Sequence, residues 1–215
     1  MKALILAAGI GSRLKYKTKN KPKALVKVNN REILDHQLST LKKFKIKNVG
    51  IVVGYKSNKI INFIKKKTYF KFEIILNEKY NTTDSAYSYK LAKKFLNNSS
   101  YIHLNCDILF NKIVLKKILN SKKKNILSCR SDLKLDEKMD LIKSVKSKIT
   151  KFDNKFYKGS EKKVFGLAKI SSSLSKKMLL NIESDIRKKK LKQKCFSYFK
   201  ELCKKTSIHS IEFNK

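Results

Sequence analysis

Apolar residues fall into short runs separated by polar, lysine-rich segments, and the period of those runs changes along the chain. Residues 2–7 (KALILA) form an apolar stretch of strand length that opens into the glycine-containing AGIGSRL, a loop continuing to about Pro22. From Arg31 to Phe44 the period lengthens. Ile33, Leu34, Leu38 and Leu41 mark one face of an amphipathic helix ahead of the strand NVGIVVGY. The alternation continues with a helix near 57–66, a strand at 72–76, a helix over about 84–96 and the strand YIHLN, which runs into Cys106 and Asp107. Beyond it the pattern predicts a helix at 112–120, a strand at 125–130, extended segments around 141–153 and 163–170, helices near 173–183 and 194–204, and a closing strand in SIHSIEFNK.

Such alternation argues for a mostly parallel sheet flanked by helices, with a more mixed second half. The 215 residues suit one domain, and no linker, repeat or low-complexity tract divides them. An apolar fraction of 41% is enough to build a core. No apolar run approaches the roughly 20 residues of a membrane span, and the start MKALILAAGIGS is too short for a secretory signal. A cytoplasmic protein without a membrane partner is expected. Cys106, Cys129, Cys195 and Cys203 lie far apart, with no C-x-x-C pair, so they suggest neither a disulfide framework nor a zinc site.

Charge alters this picture less than its size suggests. Fifty-three Lys plus Arg against 16 Asp plus Glu give a formal net charge of +37, a value that ordinarily points to nucleic acid. The cations are almost all lysine, however, spread along helix faces and loops, and the arginines are only Arg13, Arg31, Arg130 and Arg187. Arginine is the residue suited to bidentate phosphate and base recognition. Weak binding to polyanions at low salt is expected, and a specific nucleic-acid partner is not.

The first motif with chemistry is LAAGIGSRL at 6–14 followed by KPKA at 21–24. Two glycines let backbone amides approach a polyphosphate, while Arg13 and Lys23 bring positive charge to the same place. Leu14 stands where a dinucleotide fingerprint needs its third glycine, and no G-K-[ST] of a P-loop follows. The second motif is Asp107, at the C-terminal end of a central strand, where ligands gather in open α/β sheets.

Together, G-I-G-S-R and K-P-K resemble the signature of the nucleotidyltransferase family, which includes sugar-phosphate and choline-phosphate nucleotidylyltransferases. The likeness continues through PKALVKVNNREILDHQL and VVGY at 52–55, and it covers roughly residues 1–110 well and the remainder loosely. It implies a three-layer α/β/α Rossmann-like (GT-A-like) fold with a mixed, mostly parallel central sheet. Residues 1–110 would then form a nucleotide-binding half and 111–215 an acceptor-binding half.

By the same resemblance, Leu6, Ala8, Gly9, Gly11, Ser12, Gly54 and Tyr55 would surround the nucleotide. Arg13 would bind its β- and γ-phosphates, Lys23 would stabilise charge at the α-phosphate, and Asp107 would ligate Mg²⁺. The stretch NEKYNTTDSAYSYKLA at 77–92 looks like that of choline-phosphate and aminoalkyl-phosphonate cytidylyltransferases, with Asp84 where Asn is commoner. Tyr80, Asp84 and Tyr87 could receive an ammonium group by charge pairing and cation–π contact, or Asp84 could simply cap a helix. Lys143, in MDLIKSV, could touch the acceptor phosphate.

The implied reaction moves CMP from CTP to phosphocholine, phosphoethanolamine or an aminoethylphosphonate-like acceptor. Alternatives are a sugar-1-phosphate nucleotidylyltransferase using UTP or dTTP, and a noncatalytic nucleotide-binding protein. Oligomeric state, a homodimer included, stays open. The family's second metal-binding Asp lies in a C-terminal EIDT-like segment, and SIHSIEFNK stops just before it. Either the chain is truncated, or another carboxylate such as Glu212 or Asp185 serves, or activity is compromised.

Overall fold

A computed structural model describes residues 1–135 and 139–213. Its strands are β1 (Lys2–Ala7), β2 (Lys27–Val28), β3 (Arg31–Glu32), β4 (Asn48–Val53), β5 (Lys71–Leu76), β6 (Tyr101–Asn105), β7 (Ile126–Arg130), β8 (Leu141–Val145), β9 (Lys148–Asp153), β10 (Lys162–Ile170) and β11 (His209–Glu212). Its helices are α1 (Tyr16–Lys19), α2 (Ile33–Lys43), α3 (Ser57–Lys65), α4 (Ser85–Leu91), α5 (Lys93–Leu96), α6 (Lys112–Asn120), α7 (Ser172–Arg187) and α8 (Phe199–Lys205).

Nine strands form one sheet in the order β5-β4-β1-β6-β10-β7-β11-β9-β8, while β2 and β3 make a separate small ribbon. β5, β4, β1 and β6 pair in parallel. β10 then enters antiparallel between β6 and β7, and β9 is antiparallel to both its neighbours. The sheet is therefore mixed but mostly parallel in direction, as expected. It crosses the boundary at residue 110, so both halves of the chain contribute strands to it.

Alternation along β1 builds the layers. Ala3, Ile5 and Ala7 point into one apolar cluster with Leu34, Leu38 and Leu41 of α2, Ile60 of α3 and Leu115 of α6. Leu4 and Leu6 point into the other, with Tyr89 of α4, Phe95 of α5, Met178 of α7 and Phe199 of α8. A strand buried on both faces reads as a continuous apolar run, which is how KALILA presents itself. The result is the three-layer α/β/α Rossmann-like arrangement. Among the described residues, no helix is long and apolar enough to cross a membrane.

Two helices differ from their sequence outline. The single helix expected over 84–96 breaks at Ala92, whose amide donates to Tyr89 three residues back. Tyr89, Ala92 and Phe95 are all buried, and tightening toward three residues per turn brings that spacing onto one face. The helix expected at 194–204 begins instead as a 3₁₀ turn, Cys195–Tyr198, and becomes α8 only from Phe199.

Phe95 lies against Gly50 of β4, where an added Cβ would sit 2.6 Å from the ring. Overpacking of this kind costs about 1–3 kcal/mol. Gly50→Ala is expected to lower stability by that amount in urea denaturation, and an unchanged midpoint would contradict this packing.

Candidate active site

Register brings the site together. Leu6 of β1 is the Cα partner of Val52 on β4 and of Asn105 on β6, so these parallel strands end level with one another. The chain leaving each strand is tied to β1: Cys106 N donates to Leu6 O at 3.2 Å, and Tyr55 N donates to Ala8 O at 2.9 Å. The turn after β1 thereby lies beside the end of β6, next to Asp107.

Local chemistry shapes that turn. Gly11 has φ +72, a conformation side chains resist, and a Cβ there would approach Lys23 Cβ to 3.1 Å. Its carbonyl accepts from Leu14 N at 2.9 Å and from Thr18 Oγ1 at 3.0 Å. Pro22, at φ −67, leads into the short 3₁₀ turn Lys23–Leu25. On the β6 side, Gln37 Nε2 donates to Asn105 O at 2.8 Å and Ile108 O at 2.9 Å, pinning the chain on either side of Asp107.

Arg13, Lys23 and Asp107 line one cleft of about 230 Å³, together with Leu6, Ala8, Gly9 and Gly11. The Lys23 ammonium is ion-paired with the Asp107 carboxylate, their side chains being 19% and 31% exposed. Tyr80 and Asp84 form part of the facing wall. Asp84 does cap α4, accepting from Ser85 N at 2.5 Å, and it lines the cleft as well.

Five sequence candidates do not line the cleft. Gly54 is buried behind it: a Cβ there would meet Tyr80 Cβ at 2.7 Å and Ala8 O at 2.8 Å, so close backbone packing explains the glycine. Tyr55 braces the loop from outside, its hydroxyl donating to Lys19 O at 2.8 Å and Thr18 O at 3.2 Å. Ser12 is an exposed residue of a 3₁₀ turn, Tyr87 is half-buried on α4, and Lys143 is exposed on β8 opposite Lys151. Neither candidate substitute for a second acidic ligand reaches the cleft. Glu212 pairs with Lys162 at 3.0 Å and is bonded to Ser131, and Asp185 accepts from Tyr198 Oη at 3.0 Å.

The cleft also recruits residues that the sequence reading passed over: Asn77, Thr83, Ser85, Ser88, Asn105 and Cys106. Asn77 organises the wall, its Nδ2 donating to Ser88 Oγ at 3.0 Å and Thr83 Oγ1 at 3.2 Å. The segment 191–195 braces that wall from outside, through Ala86 N to Gln193 O at 3.1 Å and Cys195 N to Ser85 Oγ at 2.9 Å. Desolvation, with the Asp107 charge adding to it, pushes the Cys106 thiol up to about 12, so it stays protonated at neutral pH. Under the floor, His103 is fully buried with Nε2 3.1 Å from Asn105 Oδ1, and its ring lies 4.9 Å from that of Phe196.

Among the described residues no three His, Cys, Asp or Glu side chains cluster as a metal cage. Asp107, lining the cleft with Arg13 and Lys23, nonetheless fits Mg²⁺, which is commonly held by one or two carboxylates plus substrate phosphates.

A family model described as Nucleotidyl transferase matches residues 2–138. A choline-phosphate cytidylyltransferase of Streptococcus pneumoniae is 40% identical over 102 residues, 47% of this chain and 43% of the relative. A CTP:phosphoglutamine cytidylyltransferase of Campylobacter jejuni is 32% identical over 127 residues, 57% of this chain and 49% of the relative. The chain thus spans about half the length of these curated relatives. Among solved structures, the CTP:phosphocholine cytidylyltransferase of Streptococcus pneumoniae superposes with a TM-score of 0.79 at 24% identity, over 100% of this chain and 90% of that one. The inositol-1-phosphate CTP transferase of T. maritima superposes with a TM-score of 0.82 at 18% identity, over 98% and 84%. These structural likenesses speak for the fold.

Burial holds the His103 ring down from the usual 6.5 to about 4, with the Asn105 hydrogen bond opposing it. Between those values the unfolded chain binds a proton that the folded chain does not, so stability is full above about pH 6.5 and falls as pH drops toward 4. The difference is worth about 3 kcal/mol at most. Urea unfolding at pH 7.5 and pH 4.5 is expected to show a larger loss in the parent protein than in His103→Gln, and equal losses would contradict the assignment.

Proposed function

The chain belongs to the nucleotidyl transferase family, and from that premise we propose that it transfers CMP from CTP to a small phosphorylated or phosphonate acceptor, releasing pyrophosphate. The observation that carries this reading is the convergence of Arg13, Lys23 and Asp107 on one cleft beside the glycine turn. Cytidylyltransferases among the relatives support CTP as the donor.

An oxygen of the acceptor's phosphate or phosphonate attacks the α-phosphorus, and the bond to the β-phosphate oxygen breaks. The reaction is direct. Cys106, the thiol that lines the cleft, is held protonated, and no covalent enzyme intermediate is needed. Lys23 places a cation where negative charge grows at the α-phosphate, and Arg13 binds the leaving β- and γ-phosphates. The backbone of Ala8, Gly9 and Gly11 seats the nucleotide with little side-chain obstruction. Asp107 would hold Mg²⁺, which when bound supplies further charge neutralisation at the phosphates. Lys23 is also the ion-pair partner of Asp107.

The facing wall bears on the acceptor. Asp84, exposed and acidic, lines the same cleft as Tyr80, a combination suited to an ammonium or quaternary amine. This favours phosphocholine, phosphoethanolamine or aminoethylphosphonate over a neutral sugar phosphate.

Pyrophosphate release should be measured with CTP, UTP and dTTP against these three acceptors and sugar 1-phosphates. Turnover is expected with CTP and an amine-bearing acceptor. Arg13→Ala and Lys23→Ala are each expected to lower kcat/KM by about 10²-fold or more. CTP binding without turnover with any acceptor would overturn catalysis and leave a nucleotide-binding protein, and turnover only with UTP or dTTP and a sugar phosphate would overturn the acceptor class.

A further inference from the structure

We propose that Asn105 reads the nucleoside: its side-chain amide, oriented by His103 and seated over Gly166, donates a hydrogen bond to an uncharged acceptor atom of the bound nucleoside. This rests on the nucleotidyl-transfer reading and adds a specificity residue to it, with His103 and Gly166 as positioning residues.

Asn105 is the last residue of β6 and is half-buried on the floor of the cleft. On one side it faces Leu6 of β1. On the other, the antiparallel pairing of Leu167 with Leu104 brings Gly166 of β10 beside it. A Cβ on Gly166 would lie 2.2 Å from Asn105 Nδ2, 2.4 Å from Cγ and 2.5 Å from Cβ, so the amide occupies the space that any side chain there would take. Gly166 also lies in an irregular stretch of β10, where the register with β7 shifts between Val164 and Ala168. The space for Asn105 is thus built by a strand that follows it by some sixty residues in sequence.

His103 determines which end of the amide meets the ligand. Two residues earlier on β6, it shares Asn105's face of the sheet. Its Nδ1 is buried and has no hydrogen-bond partner. Orphaned N–H groups are rarer in folded proteins than under-satisfied acceptors, so the bare lone pair belongs on Nδ1 and the proton on Nε2. Nε2–H then donates to Asn105 Oδ1 at 3.1 Å. The oxygen end of the amide is engaged, and among the described residues nothing accepts from Nδ2. Asn105 therefore offers donors to the cleft.

The kind of atom it meets follows from the distribution of charge. Arg13, Lys23 and Asp107 supply the charges that phosphates and metal would meet, whereas Leu6, the β1 partner of Asn105, is apolar, and Ala8 and Ser88 of the same cleft are uncharged. The part of the nucleotide joined to the α-phosphate and lacking charge is the nucleoside, whose base and ribose both carry acceptor atoms.

Equilibrium binding of CTP and of inorganic triphosphate, each with Mg²⁺, tests this. Asn105→Ala is expected to weaken CTP about tenfold while leaving triphosphate affinity within about twofold. Gly166→Ala, which displaces the amide, should reproduce that selective loss. Asn105→Asp, similar in shape but without a donor, should weaken CTP at least as much as Asn105→Ala. Full CTP affinity in Asn105→Asp, parallel losses for CTP and triphosphate, or a rise confined to the acceptor KM would each overturn the inference. If the parent protein binds triphosphate and CTP equally well, the nucleoside is not read and the inference falls while the cleft's phosphate chemistry stands. If the parent protein binds neither, the nucleotidyl-transfer reading falls with it.

Discussion

Parallel pairing of β1 with β4 on one side and β6 on the other is the constraint on which the rest of the structure depends. It ends three strands at one level, and each then releases its chain into the same region: the glycine turn from β1, Gly54 and Tyr55 from β4, and Asn105 to Asp107 from β6. A one-residue slip would turn every side chain to the opposite face and send Leu6 and Asn105 into the wrong layer. The apolar alternation along β1, packed on both faces, is what fixes that register.

Electrostatics follow from this geometry rather than from the overall charge. In a chain with 16 acidic residues against 53 cations, one carboxylate is held at the end of β6 and paired with Lys23, while Arg13 makes no ion pair among the described residues. The cleft combines the cations Arg13 and Lys23, the uncharged Leu6, Ala8 and Ser88, and the carboxylates Asp84 and Asp107. The proposed substrates, a triphosphate ester and an amine-bearing phosphate, would meet charges of opposite sign there. A uniformly basic face for nucleic acid would lack those carboxylates.

Much of this was legible because its causes are local. The apolar period gives β1, α2 and β4, and the glycines with Arg13, Pro22 and Lys23 announce a turn able to hold phosphates. Asp107 stands out as a carboxylate at a strand end. What escaped depends on contacts distant in sequence. Gly54 and Tyr55 read as ligand contacts, yet their constraint is backbone packing against Ala8 and bracing of residues 18–19. Tyr87 and Lys143 have suitable chemistry but sit on elements whose orientation depends on the full sheet. The antiparallel entry of β10 between β6 and β7 cannot be seen in its own residues, and it alone gives Asn105 its seat beside Gly166.

The central claim is that the turn after β1 and the end of β6 grip one ligand together. Amide hydrogen exchange with and without CTP and Mg²⁺ tests it most directly. Simultaneous slowing at residues 8–14 and 105–108, with α3 and β5 unchanged, is the predicted result. Slowing at one of the two segments without the other, or at neither, would contradict it.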